Sequence, residues 1–118
     1  MTNIDSYTTH LSSADVQDFK HLDGTGDYLG AFNFLVRARC DDEAYEYGLE
    51  RRLYENVAIL AAEHERIDVV RRVVKDGDAS HLADSLMQRN LYKAASVCYE
   101  SCHAYEKAAR ASMRAGDY

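Results

Sequence analysis

Proline and tryptophan are both absent from the 118 residues, and glycine occurs only six times. With so few breakers the chain reads as nearly all helix, its glycines falling mostly where helices should end. No stretch approaches the roughly 20 apolar residues of a membrane-spanning helix, so membrane insertion is not expected. Apolar residues at 47% and charged residues at 29% are ordinary for a soluble globular domain. Met1 to His10 is polar and lacks the apolar core of a signal peptide, which predicts an intracellular, cytoplasmic protein. Three cysteines, Cys40, Cys98 and Cys102, form no even framework and are expected to be reduced, small core residues. A net charge of -6 argues against a nucleic-acid surface. Arg51-Arg52 and Arg71-Arg72 are local exceptions and read as solvated helix faces.

What is present is helical periodicity. Residues 1–11 form a tail with almost nothing to bury and are expected to be mobile; residues 12–118 form one domain. Ser12 or Ser13 can cap a short helix through His21, broken by Asp23-Gly24-Thr25-Gly26-Asp27. Tyr28, Ala31, Leu35 and Ala38 then share one helical face, ending near Cys40, and Asp41-Asp42-Glu43 supplies acids for the positive end of the next helix, which runs to about Arg51. Leu53, Val57, Leu60, Ala61 and His64 form a clean amphipathic stripe. Ile67, Val70, Val73 and Val74 continue with another, although the β-branched pairs Val69-Val70 and Val73-Val74 leave a short strand as the alternative. Asp76-Gly77-Asp78 ends that segment, Leu82, Ala83, Leu86 and Met87 mark a further helix, and two more run from Leu91 to about Cys102 and from Ala104 to about Arg114. Short helices joined by short turns place sequence neighbours antiparallel, so the predicted architecture is an all-α solenoid, a right-handed stack of short helical hairpins.

Repetition sharpens this expectation. Tyr92 with Ala95, Tyr105 with Ala108, and Tyr118 follow one another at 13-residue spacing, and Gly26-Asp27-Tyr28 with Ala31 matches the terminal Gly116-Asp117-Tyr118. The domain therefore reads as a solenoid segment incomplete at both ends. Tyr92, Ala95, Tyr99 and Cys102 follow the second-helix pattern of a tetratricopeptide repeat, in which a small side chain admits the neighbouring helix and aromatics fill the flanks. Tyr28, Ala31, Leu35 and Ala38 repeat that order, and Tyr105 with Ala108 begins it again before Ser112 departs from it. These ten residues are the candidate repeat-packing positions of degenerate repeats, and the 13-residue spacing suggests single helices each opening on the same tyrosine motif.

Gly26-Asp27-Tyr28, Ala31, Phe34-Leu35-Val36, Cys40 and Glu43-Ala44-Tyr45 resemble a stretch in the helical tails of the WD-repeat and tetratricopeptide subunits of intraflagellar transport. Tyr92-Lys93-Ala94-Ala95 and Tyr105-Glu106-Lys107-Ala108-Ala109 resemble the aromatic-x-Lys-Ala-Ala steps of the same tails, so the likeness spans residues 18–118. Gly48 departs from the pattern, where these tails prefer alanine or a larger residue, and the β-propellers of the family are not in this sequence. The resemblance implies a non-catalytic scaffold of a complex A subunit, bound to other subunits or cargo proteins in the cytoplasm and at the cilium or flagellum and its base. A small stand-alone helical-repeat adaptor unconnected with cilia is the other reading.

The chemistry-bearing residue types support no enzyme, cofactor or metal. Cys98-x-x-x-Cys102-His103 could suggest zinc, but structural zinc motifs usually pair C-x-x-C knuckles with two more ligands. Asp23 to Asp27 could suggest a calcium or phosphate loop, but Tyr28 stands where an EF-hand needs glycine, Phe34 where it needs an acid, and no Gly-Lys-Ser/Thr follows. His64 and His81 accompany no recognised nucleophile, and Asp41, Asp42 and Glu43 are a run rather than a separated pair. Nine tyrosines suit repeat packing, with Tyr45 and Tyr47 on opposite sides of their helix so that one remains exposed for a partner. Met113, Ala109 and Tyr105 present an apolar surface at the C-terminal end through which self-association is expected.

Overall fold

The computed structural model describes residues 7–116, which hold eight α-helices and no strand: α1 (Ser13–Gly24), α2 (Tyr28–Arg37), α3 (Asp41–Glu50), α4 (Tyr54–Glu63), α5 (Ile67–Asp76), α6 (Ala79–Gln88), α7 (Tyr92–Ser101) and α8 (Tyr105–Arg114). The expected residue Tyr118 and the tail residues before Tyr7 lie outside the described residues. The chain divides into two compact units, Met1–Leu53 and Tyr54–Tyr118. In the first, α1 packs on α2 and α2 on α3; in the second, α4 packs on α5, α6 on α7 and α7 on α8. Each is an all-α arrangement in which sequence neighbours pair, as in helical repeat proteins.

The 13-residue spacing recognised in a few tyrosines governs nearly the whole chain. From α2 onward each helix is 10 residues long, and every start lies 13 residues after the last, except that α6 follows α5 by 12. Backbone chemistry at the helix ends produces this period. After α2, Arg39 takes a left-handed conformation (φ 62°), its amide donates to the Val36 carbonyl and the amide of Cys40 donates to the Leu35 carbonyl, both at 3.0 Å. That pair of bonds is a Schellman motif, which satisfies carbonyls the helix would otherwise leave open. The outer bond recurs from Leu53 to Gly48 (2.7 Å), Arg66 to Ala61 (2.8 Å), Leu91 to Leu86 (2.9 Å) and Ala104 to Tyr99 (2.9 Å). The left-handed residues accordingly recur too: Gly26, Arg39, Arg52, Glu65, Asn90, His103 and Gly116.

The residue that closes one helix starts the next. Cys40, Arg66, Leu91 and Ala104 are N-caps with no side-chain hydrogen bond, whereas Ser12, Asp27 and Asp78 cap α1, α2 and α6 through the amides of Asp15, Gly30 and His81. The turn between α5 and α6 is the exception that the shorter spacing requires. Gly77 is extended (φ -94°, ψ 174°), no left-handed residue intervenes, and Asp78 begins α6 at once. Without the reversing turn α5 and α6 meet only sparsely, while α4 packs on α6 and α5 on α7.

A left-handed conformation costs a residue with a Cβ roughly 1–2 kcal/mol, although glycine gives back part of that through its freer unfolded chain. Arg52→Gly is therefore expected to stabilise the fold by up to about 1 kcal/mol, read as a higher urea midpoint. A lower midpoint would mean that the Arg52 side chain contributes more than its backbone strain costs.

The fourth position of each repeat supplies the core. Ala31, Ala44, Val57, Val70, Leu82, Ala95 and Ala108 occupy it from α2 to α8, and all are buried. Small residues prevail there because 10-residue helices lying close together leave little room. The valine-rich segment is a helix, with Val69, Val70 and Val73 buried at helical spacing; this burial outweighs the modest intrinsic cost of β-branching. His64, the last member of the stripe in α4, lies beyond the helix end and is exposed. In the N-terminal segment, Tyr7 and Thr8 are buried, so the tail that seemed to have little to bury places an aromatic ring in the first unit's core.

Candidate functional site

The ten candidate repeat-packing residues separate by position. Ala31, Leu35, Ala95, Tyr99 and Ala108 are buried. Ala38 and Cys102 are exposed C-caps of α2 and α7, already within the reversing turn and no longer on the inward face. The leading tyrosines lie at the rim: Tyr92 is half-buried, Tyr28 is 37% exposed and Tyr105 is 63% exposed. The structure thus narrows the sequence pattern to its fourth and eighth positions. Each rim tyrosine still has a partner, since Tyr92 donates to Asn90 Oδ1 (2.6 Å), Tyr105 Oη lies 2.9 Å from His103 Nδ1, and the Arg51 guanidinium carbon is 4.5 Å from the centre of the Tyr28 ring.

The least legible feature is a polar cluster inside the first unit. Asp23, the last acid of α1, is buried, and a single carboxylate oxygen accepts from Tyr47 Oη (2.6 Å), Arg51 Nη2 (2.8 Å) and Arg51 Nε (3.1 Å). Tyr7 and Phe19 close over Tyr47 edge-on, with ring centres 5.4 and 5.1 Å away. Burial, together with the carboxylate it bonds, pushes the Tyr47 hydroxyl far above its ordinary range, so it remains a donor. Both Tyr45 and Tyr47 are buried, so neither is the exposed partner-facing ring that their opposite placement suggested, and Arg51 is held by Asp23 rather than solvated. Such a cluster ties α1 to α3 through one buried carboxylate oxygen. Nearby, Asp27 accepts from the Gly30 amide (3.0 Å), and a Cβ on Gly30 would collide with that carboxylate, so the acids of the Asp23 to Asp27 turn serve a core ion pair and a helix cap.

Cys98 and Cys40 are buried, whereas Cys102 and His103 lie on the exposed turn after α7, and no three His, Cys, Asp or Glu side chains among the described residues gather as metal ligands would. Burial pushes the Cys98 thiol up to about 12, helped by Cys102, and burial with Glu43 and Asp41 raises that of Cys40. Because the thiolate is the nucleophile, alkylation of the native chain at pH 8 is expected at Cys102 first. Cys40 and Cys98 should follow at least about tenfold more slowly, at the rate of local opening. Peptide mass spectrometry reads this order directly; equal rates would show that α7 does not bury Cys98.

The second unit carries the two most exposed large apolar side chains among the described residues. At its C-terminal end Tyr105 and Met113 are 63% and 60% exposed, and a groove of about 420 Å³ is lined by Met87 of α6, Tyr99 of α7 and Lys107, Arg110, Met113 and Arg114 of α8. Tyr99 forms part of its floor; its hydroxyl donates to Asp84 Oδ1 (2.6 Å) and is pushed up to about 12 by burial and that carboxylate. The groove offers apolar surface, two sulfur-bearing side chains and positive charge. No helix among the described residues is long and apolar enough to cross a membrane. Compared with protein-family models, curated proteins and solved structures, the chain matches none of them.

Proposed function

We propose that this chain is a non-catalytic protein-interaction scaffold, an α-helical repeat segment of the kind found in the tail of an intraflagellar transport complex A subunit such as WD-repeat protein 19. It holds other subunits or cargo proteins in the cytoplasm and at the base of the cilium or flagellum. The observation that carries the scaffold reading is the α8 surface, where Tyr105 and Met113 stand exposed and Met113 borders a groove, while Ala108 is buried. Repeat arrays act through such extended faces, and exposed apolar patches rimmed by polar residues mark places where proteins meet. The transport assignment rests on the residues that resemble the family, from Gly26-Asp27-Tyr28 to Tyr105-Glu106-Lys107-Ala108-Ala109. Sedimentation of lysate from ciliated cells expressing the tagged chain tests it. Co-migration with complex A subunits is expected; migration as a free 13.4 kDa species apart from an intact complex A would overturn the transport assignment and leave a cytosolic helical-repeat adaptor.

A further inference from the structure

We infer that the groove along α8 receives an acidic amphipathic helix from a partner protein, a proposal that rests on the scaffold reading and specifies the partner's chemistry. Its first support is the register of the repeat. At the fifth position Phe32, Tyr45, Ala58, Ala83 and Ser96 are buried, and only α5 and α8 leave that position exposed. At the ninth position α5, α7 and α8 are exposed. Where these positions are uncovered in α5 and α7 the chain carries Arg71, Lys75 and Glu100, as solvent would favour. In α8 it carries Ala109 and Met113 instead. Of these Met113 lines the groove, while Ala109 and Tyr105 continue its exposed apolar surface along the neighbouring side of α8 at i-4 and i-8.

The second support is charge. The chain as a whole is at -6, yet Lys107, Arg110 and Arg114 gather along the groove. Arg110 pairs with Glu106 at 2.7 Å on the exposed side of α8. Lys107 and Arg114 instead lie over the rings of Tyr99 (5.8 Å) and Tyr92 (5.9 Å), and no carboxylate among the described residues is within ion-pair distance of either. A cation left over an aromatic face beside an apolar floor complements a ligand with both an apolar stripe and negative flanks. The groove's volume of about 420 Å³ accommodates a few large side chains, and methionines on two of its walls can adjust to their shape. Together these features describe helix-in-groove recognition with acidic residues set against a basic rim.

The probe is a synthetic helical peptide of about 16 residues, with leucines at i, i+3, i+4 and i+7 and glutamates elsewhere, titrated calorimetrically into the full chain. A peptide with lysines in place of the glutamates is the control. The glutamate peptide is expected to bind at least about tenfold more tightly than the lysine peptide. Its affinity should fall about tenfold with the exposed double substitution Lys107→Glu and Arg114→Glu, whose circular dichroism should match that of the parent. Absence of binding, equal affinity for both peptides, or indifference to the double substitution would overturn the proposal. Sedimentation showing a dimer that the same substitution dissociates would also overturn it, assigning the groove to a second copy. Failure of the peptide with retained co-migration in cells would leave the scaffold reading standing and reject only this groove.

Discussion

Truncating Tyr47 to alanine is expected to cost about 3–5 kcal/mol and to unfold the first unit near room temperature, the largest effect of any single substitution considered. The ring is fully buried between Tyr7 and Phe19, so its removal leaves a large cavity, and it also takes away the shortest of three hydrogen bonds to the buried Asp23. Tyr47→Phe separates the two contributions. It keeps the packing and loses only the hydroxyl, so Arg51 still holds the carboxylate and the expected cost is about 1–2 kcal/mol. Urea unfolding followed by tyrosine fluorescence measures both. A Tyr47→Ala cost no larger than that of Tyr47→Phe would mean that the ring packs against nothing and that the first unit's core lies elsewhere.

Ala95→Leu should destabilise the second unit by about 1–3 kcal/mol, because Ala95 is fully buried at the fourth repeat position and extra methylenes there force neighbouring helices apart. Ala109→Leu is the matched control, since the same substitution one repeat further along and one position over falls on exposed surface and should change stability by less than about 0.5 kcal/mol. The contrast depends on register alone, because both sites exchange the same side chains within helices of equal length. Equal effects at the two positions would show that the register is misassigned.

Period and small residues were legible in the sequence because both are written in side chains. The all-helical fold, the order of helices and the buried Ala31, Leu35, Ala95 and Ala108 follow from apolar spacing that any reader of residues 28–114 can count. What the sequence concealed was written in the backbone. Arg39, Arg52, Glu65 and His103 close helices in a left-handed conformation that is usual for glycine and uncommon for these residues, so five reversing turns without glycine carried no recognisable signal, Asn90 being the mildest case. Missing them extended the inward face by a turn, which is why Ala38 and Cys102 joined the packing pattern while lying on exposed caps. The Asp23 cluster was hidden for another reason. Its members lie 24 and 28 residues apart, and an acid beside Gly24 reads locally as a helix breaker. A tyrosine and an arginine four apart, Tyr47 and Arg51, were the one available hint that a buried carboxylate faced that side of α3.

From α2 onward, single-helix repeats of 13 residues, each but α5 ended by a left-handed residue, set which surfaces are core and which are open. Backbone nuclear magnetic resonance chemical shifts of the isotopically labelled chain report that conformation residue by residue. They are expected to place residues 39, 52, 65, 90 and 103 in the left-handed region, with Gly77 extended and the intervening segments helical. Right-handed helical shifts running unbroken through those five positions, or left-handed residues at irregular spacing, would contradict the repeat and the placement of the α8 face derived from it.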